Sequence, residues 1–227
     1  MKRLSVLIGL LLLGPAHAEE YEDIVSRAFE AINGDFHNEW AFTETSTADG
    51  STSVGRYDPR RAEGERWTLS SVDDREPTED EVDAYLDGKT KDAERGSGNE
   101  RGADTRIAPG TLRLIEEHDG HWLFSFVPAG DKDDDEGFME HVDGTIKIAK
   151  DGHYVEYIDL RNSKPIKPAF GVKIITFLTR LTFGPAAPDG PIVPQTVDVH
   201  VKGRAYLAVR FDEKESVRYG DYSYAAD

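Results

Sequence analysis

Residues 112–127 read LRLIEEHDGHWLFSFV. Two runs rich in branched and aromatic side chains flank Asp119-Gly120, and an Asp-Gly pair so placed is a strong signal for a two-residue hairpin. In the second run Trp122, Phe124 and Phe126 fall on one face, with Leu123 and Val127 on the other. That period of two defines a strand. Asp-Gly recurs at 143–144 and 151–152. The recurrence predicts that Phe138–Val142 turns into Thr145–Ala149, followed by His153–Leu160, in an antiparallel meander.

Toward the C terminus, Gly171–Phe183, Thr196–Lys202, Arg204–Asp212 and Ser216–Tyr224 read as further strands, with residues 185–194 as a loop. Val172–Phe183 is apolar on both faces: Val172, Ile174 and Leu178 on one, Ile175, Phe177, Leu181 and Phe183 on the other. Such a strand is covered on both sides, by helix, core or ligand. Toward the N terminus, Glu39–Thr45 and Thr52–Tyr57 flank a turn at Asp49-Gly50, and a third strand begins near Trp67.

Two helices complete the pattern. Ile24, Val25, Ala28, Phe29 and Ile32 form an apolar stripe over Tyr21–Asn33, which Gly34 ends. Thr78 and Glu81 form a capping box opening a second helix that closes at Asp87-Gly88. It has too few apolar residues for a core element and reads as a lid or strap. The fold expected is mainly β (α+β), a single curved antiparallel sheet or unclosed barrel of about ten or eleven strands, with both helices as cover. One domain spans residues 19–227, with a mobile acidic connection near 89–104.

Residues 1–18 read as a signal peptide: Lys2 and Arg3, an apolar run from Leu4 to Leu13, and a small-x-small site at Ala16-His17-Ala18. Cleavage after Ala18 and a periplasmic location follow as expectations. The chain carries 27 Lys+Arg against 44 Asp+Glu, net −17, and no cysteine. Disulfide scaffolds, thiol enzymes and cysteine-ligated metals are excluded, and duplex nucleic acid is a poor partner for so acidic a chain. Twelve acids against five bases lie between Asp73 and Asp104, a pattern that plain solvation explains.

No catalytic motif is present: neither a G-x-S-x-G elbow, a P-loop nor an H-E-x-x-H pair. His118 and His121 with Glu116 and Glu117 lack a third and fourth ligand at a closing spacing. Asp131, Asp133 and Asp135 alternate like calcium ligands, but Glu136 and Val142 stand where such a loop needs glycine and glutamate. Neither a metal nor a cofactor is expected, and no enzyme. The lining candidates for an apolar ligand are Trp40, Phe42, Trp67, Trp122, Phe124, Phe126, Ile175 and Phe177. Against the overall charge, residues 161–188 contain Arg161, Lys164, Lys167, Lys173 and Arg180 and no acid. Lys164, Lys167, Lys173 and Arg180 are candidates for anionic head-group contact, hence peripheral membrane contact, or for pairing with the acidic half.

The order of elements, together with Trp40-Ala-Phe-Thr-Glu-Thr45, Arg56-Tyr57-Asp58-Pro59, Gly203-Arg204-Ala205 and Tyr219-Gly220-Asp221-Tyr222, resembles the lipoprotein-sorting (LolA/LolB-like) group of bacterial envelope proteins, in an outlying branch. The resemblance implies an unclosed barrel around helices, with a cavity for acyl chains. It places a lid-holding arginine near Pro59, which Arg60 or Arg61 matches with the order reversed. The function expected is a monomeric periplasmic binding protein for a lipid, lipoprotein acyl chain or other apolar ligand. The alternative is an envelope interaction or scaffold protein with a filled interior and a protein partner.

Overall fold

The computed structural model describes residues 15–34, 36–94, 107–129, 138–206 and 209–225. Its strands are β1 (Trp40–Ala48), β2 (Ser51–Tyr57), β3 (Trp67–Val72), β4 (Arg113–Glu117), β5 (His121–Phe126), β6 (Val142–Ala149), β7 (Tyr154–Asn162), β8 (Ile166–Ala169), β9 (Val172–Pro185), β10 (Ile192–Ala205) and β11 (Val209–Tyr224). Helices α1 (Pro15–Glu30), α2 (Phe36–Glu39) and α3 (Glu79–Glu94) complete it.

All the strands join one antiparallel sheet in the order β3-β2-β1-β11-β10-β9-β7-β6-β5-β4, with β8 paired to β9. The sheet is not closed: β3 and β4 are its two edges. The chain leaves edge β3, passes through α3 and returns at edge β4. β1 pairs with β11, which splices the N-terminal meander onto the C-terminal one.

Helix α1 lies against β7 and β4. Val25 and Ala28 are buried there, with Tyr21, Ile24, Phe29 and Ile32 partly so, which is the stripe read from the sequence. The helix ends at Glu30, and Ile32 forms a bridge with Ile192. The capping box forms as expected: Glu81 Oε2 accepts from Thr78 N at 2.8 Å. Gly88 does not stop α3, however, and six further residues are helical. Lys91 pairs with Asp87 one turn back and Lys89 is anchored in the sheet, which carries the helix past the glycine. Of the expected mobile connection, 89–94 is therefore helix, and 95–104 lies outside the described residues.

Turns form at Asp49-Gly50, Asp119-Gly120 and around Gly152. Asp143-Gly144 is no turn: both residues lie inside β6. A Cβ at Gly144 would overlap the Phe126 ring, so this glycine makes room for an aromatic side chain. Gly203 repeats the case. It sits inside β10 against Phe211, so β10 runs through it to Ala205, and the strand expected over Arg204–Asp212 is divided between the end of β10 and the start of β11, which continues to Tyr224.

β9 carries a bulge. Thr176 pairs with Lys202 but Ile174 with Gly203, leaving Ile175 without a partner on β10. The bulge shifts the side-chain alternation. Val172 and Ile174 join Phe177, Leu181 and Phe183 on the helix-bearing face, and Leu178 faces the other way with Arg180.

Candidate functional site

The helix-bearing face holds two aromatic clusters. In the first, Phe124 is fully buried and Phe126 nearly so, with Ile146, Ile148, Val155 and Ile158 around them. Tyr21 of α1 meets Phe124 edge-on at 5.5 Å. Trp122 closes the end of this cluster. Its indole donates to Glu117 at 3.2 Å, under the Lys150 ammonium at 4.7 Å and beside the His153 ring at 5.7 Å. A ring nitrogen of His153 lies 3.0 Å from the Ile24 carbonyl oxygen, tying the helix to the sheet.

The second cluster gathers Phe36, Phe42, Tyr57 and Val193, with Trp40, Trp67, Tyr219 and Tyr222 packed on it. Phe42 stacks on Tyr57 at 5.1 Å. The eight lining candidates thus fall in three places. Phe177 meets Phe138 edge-on at 5.2 Å, and Ile175 sits on the bulge, 48% exposed. The structure does not bring the eight together as one lining.

Between the clusters, the same face of β9, β10 and β11 carries Phe177, Val197, Val199, Val201 and Val217. Register aligns Phe177 with Val201 and Val197 with Val217. These side chains are half-buried and belong to neither cluster. Of this strip only Phe177 stands out in the sequence, because valines in alternation serve a packed and an open face alike.

Helix α3 straps the β3 side of this face. Lys89 Nζ lies 2.5 Å from Oε1 of Glu44, itself 5% exposed, and 4.2 Å from the centre of the Trp67 ring. Tyr85 seats its phenol over Gly55, where any Cβ would overlap it. Burial raises the Tyr85 and Tyr219 phenols above the ordinary range, and the nearby Glu44 charge adds to the effect. Arg60 pairs with Asp58, whose carboxyl its hydrogen bond pulls down to about 2. Arg61 donates to Thr68 and to the Glu65 carbonyl. Both arginines brace their own turn, and the contacts that hold the strap come from Lys89 and Tyr85.

Among the four expected head-group cations, Lys164 and Lys167 are exposed and Lys173 is half-buried. Arg180 is committed elsewhere. It grips both oxygens of the buried Asp159 at 2.5 Å, with Arg161 on the same carboxylate at 3.2 Å.

The opposite face of the sheet has an open depression of about 550 Å³ lined by Thr47, Asp198, His200, Asp212, Lys214 and Ser216, among others. Ser216 donates to Asp198 at 2.6 Å, while His200 and Lys202 meet Asp212 at 2.8 and 2.7 Å. Those two hydrogen bonds pull the Asp212 carboxyl down to about 2. Because the Ser216 hydroxyl serves a carboxylate and not His200, no nucleophile–base pair is set up here. At the β4–β5 turn, the His118 and His121 rings lie 4.7 Å apart, and His118 pairs with Glu116. Asp131, Asp133 and Asp135 lie outside the described residues. Among the described residues, no group of three or more His, Asp or Glu is placed to hold a metal, and no helix is long and apolar enough to cross a membrane.

The class defined by this architecture is an open antiparallel sheet with helices laid on one face. No protein-family model matches the chain, and no curated protein matches it.

Proposed function

We propose that the protein is an exported, non-catalytic carrier that holds a lipid, a lipoprotein acyl chain or a similar apolar ligand on the helix-bearing face, in the manner of the LolA/LolB-like group it resembles. The observation that supports this is the strip of Phe177, Val197, Val199, Val201 and Val217, left half-exposed between two helix-covered clusters on an open sheet. Apolar surface gains about 25 cal/mol for each Å² removed from water, so an acyl chain along such a strip is favoured without any polar contact. Cleavage after Ala18 leaves the packed part of α1, from Tyr21 onward, in place.

Native mass spectrometry of the protein purified from periplasm without detergent tests the proposal. A bound mass matching a phospholipid or acylated peptide, lost in a Val199→Asp/Val201→Asp variant, supports the carrier. An apo mass that does not shift after incubation with lipid overturns it.

The packing favours a second reading. Phe36, Phe42, Phe124, Ile146, Ile148 and Ile158 are all but fully buried, as expected of an envelope interaction protein with a filled interior. In that case the strip variant changes nothing, whereas charge reversal at Lys164, Lys167 and Lys173 abolishes association with a protein partner.

A further inference from the structure

Three large apolar side chains stand far out of the molecule: Phe170 at 99% exposure, Tyr206 at 75% and Val209 at 60%, the highest values among the large hydrophobic residues described. Phe170 precedes the other two by 36 and 39 positions in sequence, yet all three share one end of the sheet. Phe170 and Gly171 form the turn from β8 to β9, and Tyr206 and Val209 flank the turn from β10 to β11. The two turns are tied together. The Tyr206 amide donates to the Gly171 carbonyl at 2.7 Å, and both residues hold positive φ, 49° and 81°. The tyrosine ring crosses the space above Gly171, where a Cβ would lie 3.3 Å from it.

A collar of positive charge surrounds this apolar tip. Lys173, Arg204 and Arg210 stand opposite one another on three adjacent strands. Lys164 and Lys167 are exposed before and within β8. Among the described residues none of these five has an ion pair. Neither 160–188 nor 199–211 contains a single acid, in a chain of net charge −17. Of the acids nearest in sequence, Asp159 is engaged by Arg180 and Arg161 and Asp212 by His200 and Lys202, while Asp198 accepts from the Ser216 hydroxyl. Like charges placed directly across strands destabilise a sheet. The row is therefore a cost to the isolated protein that an anionic partner removes.

We infer that this end of the sheet docks the protein on an anionic lipid bilayer, with Phe170, Tyr206 and Val209 at head-group depth and Lys164, Lys167, Lys173, Arg204 and Arg210 against the lipid phosphates. Aromatic rings favour that depth, and basic residues near an anionic surface each raise partitioning by about fivefold. The charge elsewhere is repelled by the same surface, so it orients the molecule tip-first. The inference goes beyond the carrier reading and holds whether or not the strip takes a ligand.

Co-sedimentation of the delipidated protein with phosphatidylcholine vesicles, with and without phosphatidylglycerol, is the test. Binding is expected only with phosphatidylglycerol and should fall with added salt. It should fall at least about twentyfold in Lys173→Glu/Arg204→Glu and about tenfold in Phe170→Ser/Tyr206→Ser, with Lys91→Glu on α3 unchanged. In Phe170→Trp, fluorescence should be quenched by brominated acyl chains. Absence of binding to anionic vesicles overturns the inference, as does binding that survives charge reversal. It is overturned equally if the tip variants leave vesicles untouched but abolish self-association or binding to an acidic protein. Bound mass plays no part in this readout, so its failure is distinguishable from failure of the carrier reading.

Discussion

Lys89 of α3 and Glu44 of β1 close on each other, the ammonium 2.5 and 2.8 Å from the two carboxylate oxygens, beneath the strap helix and beside the Trp67 ring. Only Glu44 and Asp159 are buried acids among the described residues. Breaking such a pair from one side leaves a charge in the interior and costs about 3–5 kcal/mol. Lys89→Met should therefore lower the free energy of unfolding by roughly that amount. The double variant Lys89→Met/Glu44→Leu should recover most of it, as measured by urea denaturation.

Gly55 leaves room for the Tyr85 phenol, so Gly55→Ala should lift α3 from the sheet. Amide exchange over 79–94 should accelerate while that of β6 and β7 stays slow. Tyr85→Phe should be neutral or stabilising by up to about 1 kcal/mol, since the Tyr85 hydroxyl is buried without a hydrogen-bond partner.

His37, packed among Phe36, Phe42 and Tyr57, has its pKa lowered to about 4, first by burial and then by the Lys89 charge. A histidine that is harder to protonate when folded stabilises the fold above its unfolded pKa of about 6.5. That stability is lost as pH falls toward 4, by a total on the order of 3 kcal/mol. Urea midpoints should decline through this window, and His37→Gln should flatten the decline. The Asp58, Glu81 and Asp212 carboxyls, held at about 2 by hydrogen bonds from their cationic partners, lose their contribution as pH falls from the ordinary carboxylate range toward 2. The two phases are therefore separable.

Asp159 is buried, whereas the side chains of Arg180 and Arg161 are 46% and 59% exposed. Removing the acid leaves arginines that water can serve, but removing Arg180 leaves a buried carboxylate with one weaker partner. Arg180→Met should therefore destabilise by about 2–3 kcal/mol and Asp159→Asn by about half as much, as read from thermal or urea unfolding.

The strand pattern was legible wherever a glycine followed an acid at a genuine turn, as at Gly50, Gly120 and Gly152. Where glycine serves close approach, the sequence suggests a strand break that is absent: Gly144 under Phe126 follows an acid as a turn glycine does, and Gly203 against Phe211 interrupts an otherwise regular alternation. The bulge at Ile175 was hidden for a related reason: alternation cannot show which residue lacks a partner. Lys164, Lys167 and Lys173 stood out because no acid lies near them. Their companions Arg204 and Arg210, and the exposed Phe170, emerge only from register and burial, which tertiary pairing sets.

The edges β3 and β4 share no hydrogen-bonded ladder, and the chain joining them runs through α3. In mechanical terms the sheet is an unfastened cuff: parting its two edges breaks no strand pairing, so the eleven-stranded ladder stays whole while Lys89 and Tyr85 keep α3 on the β1–β3 side.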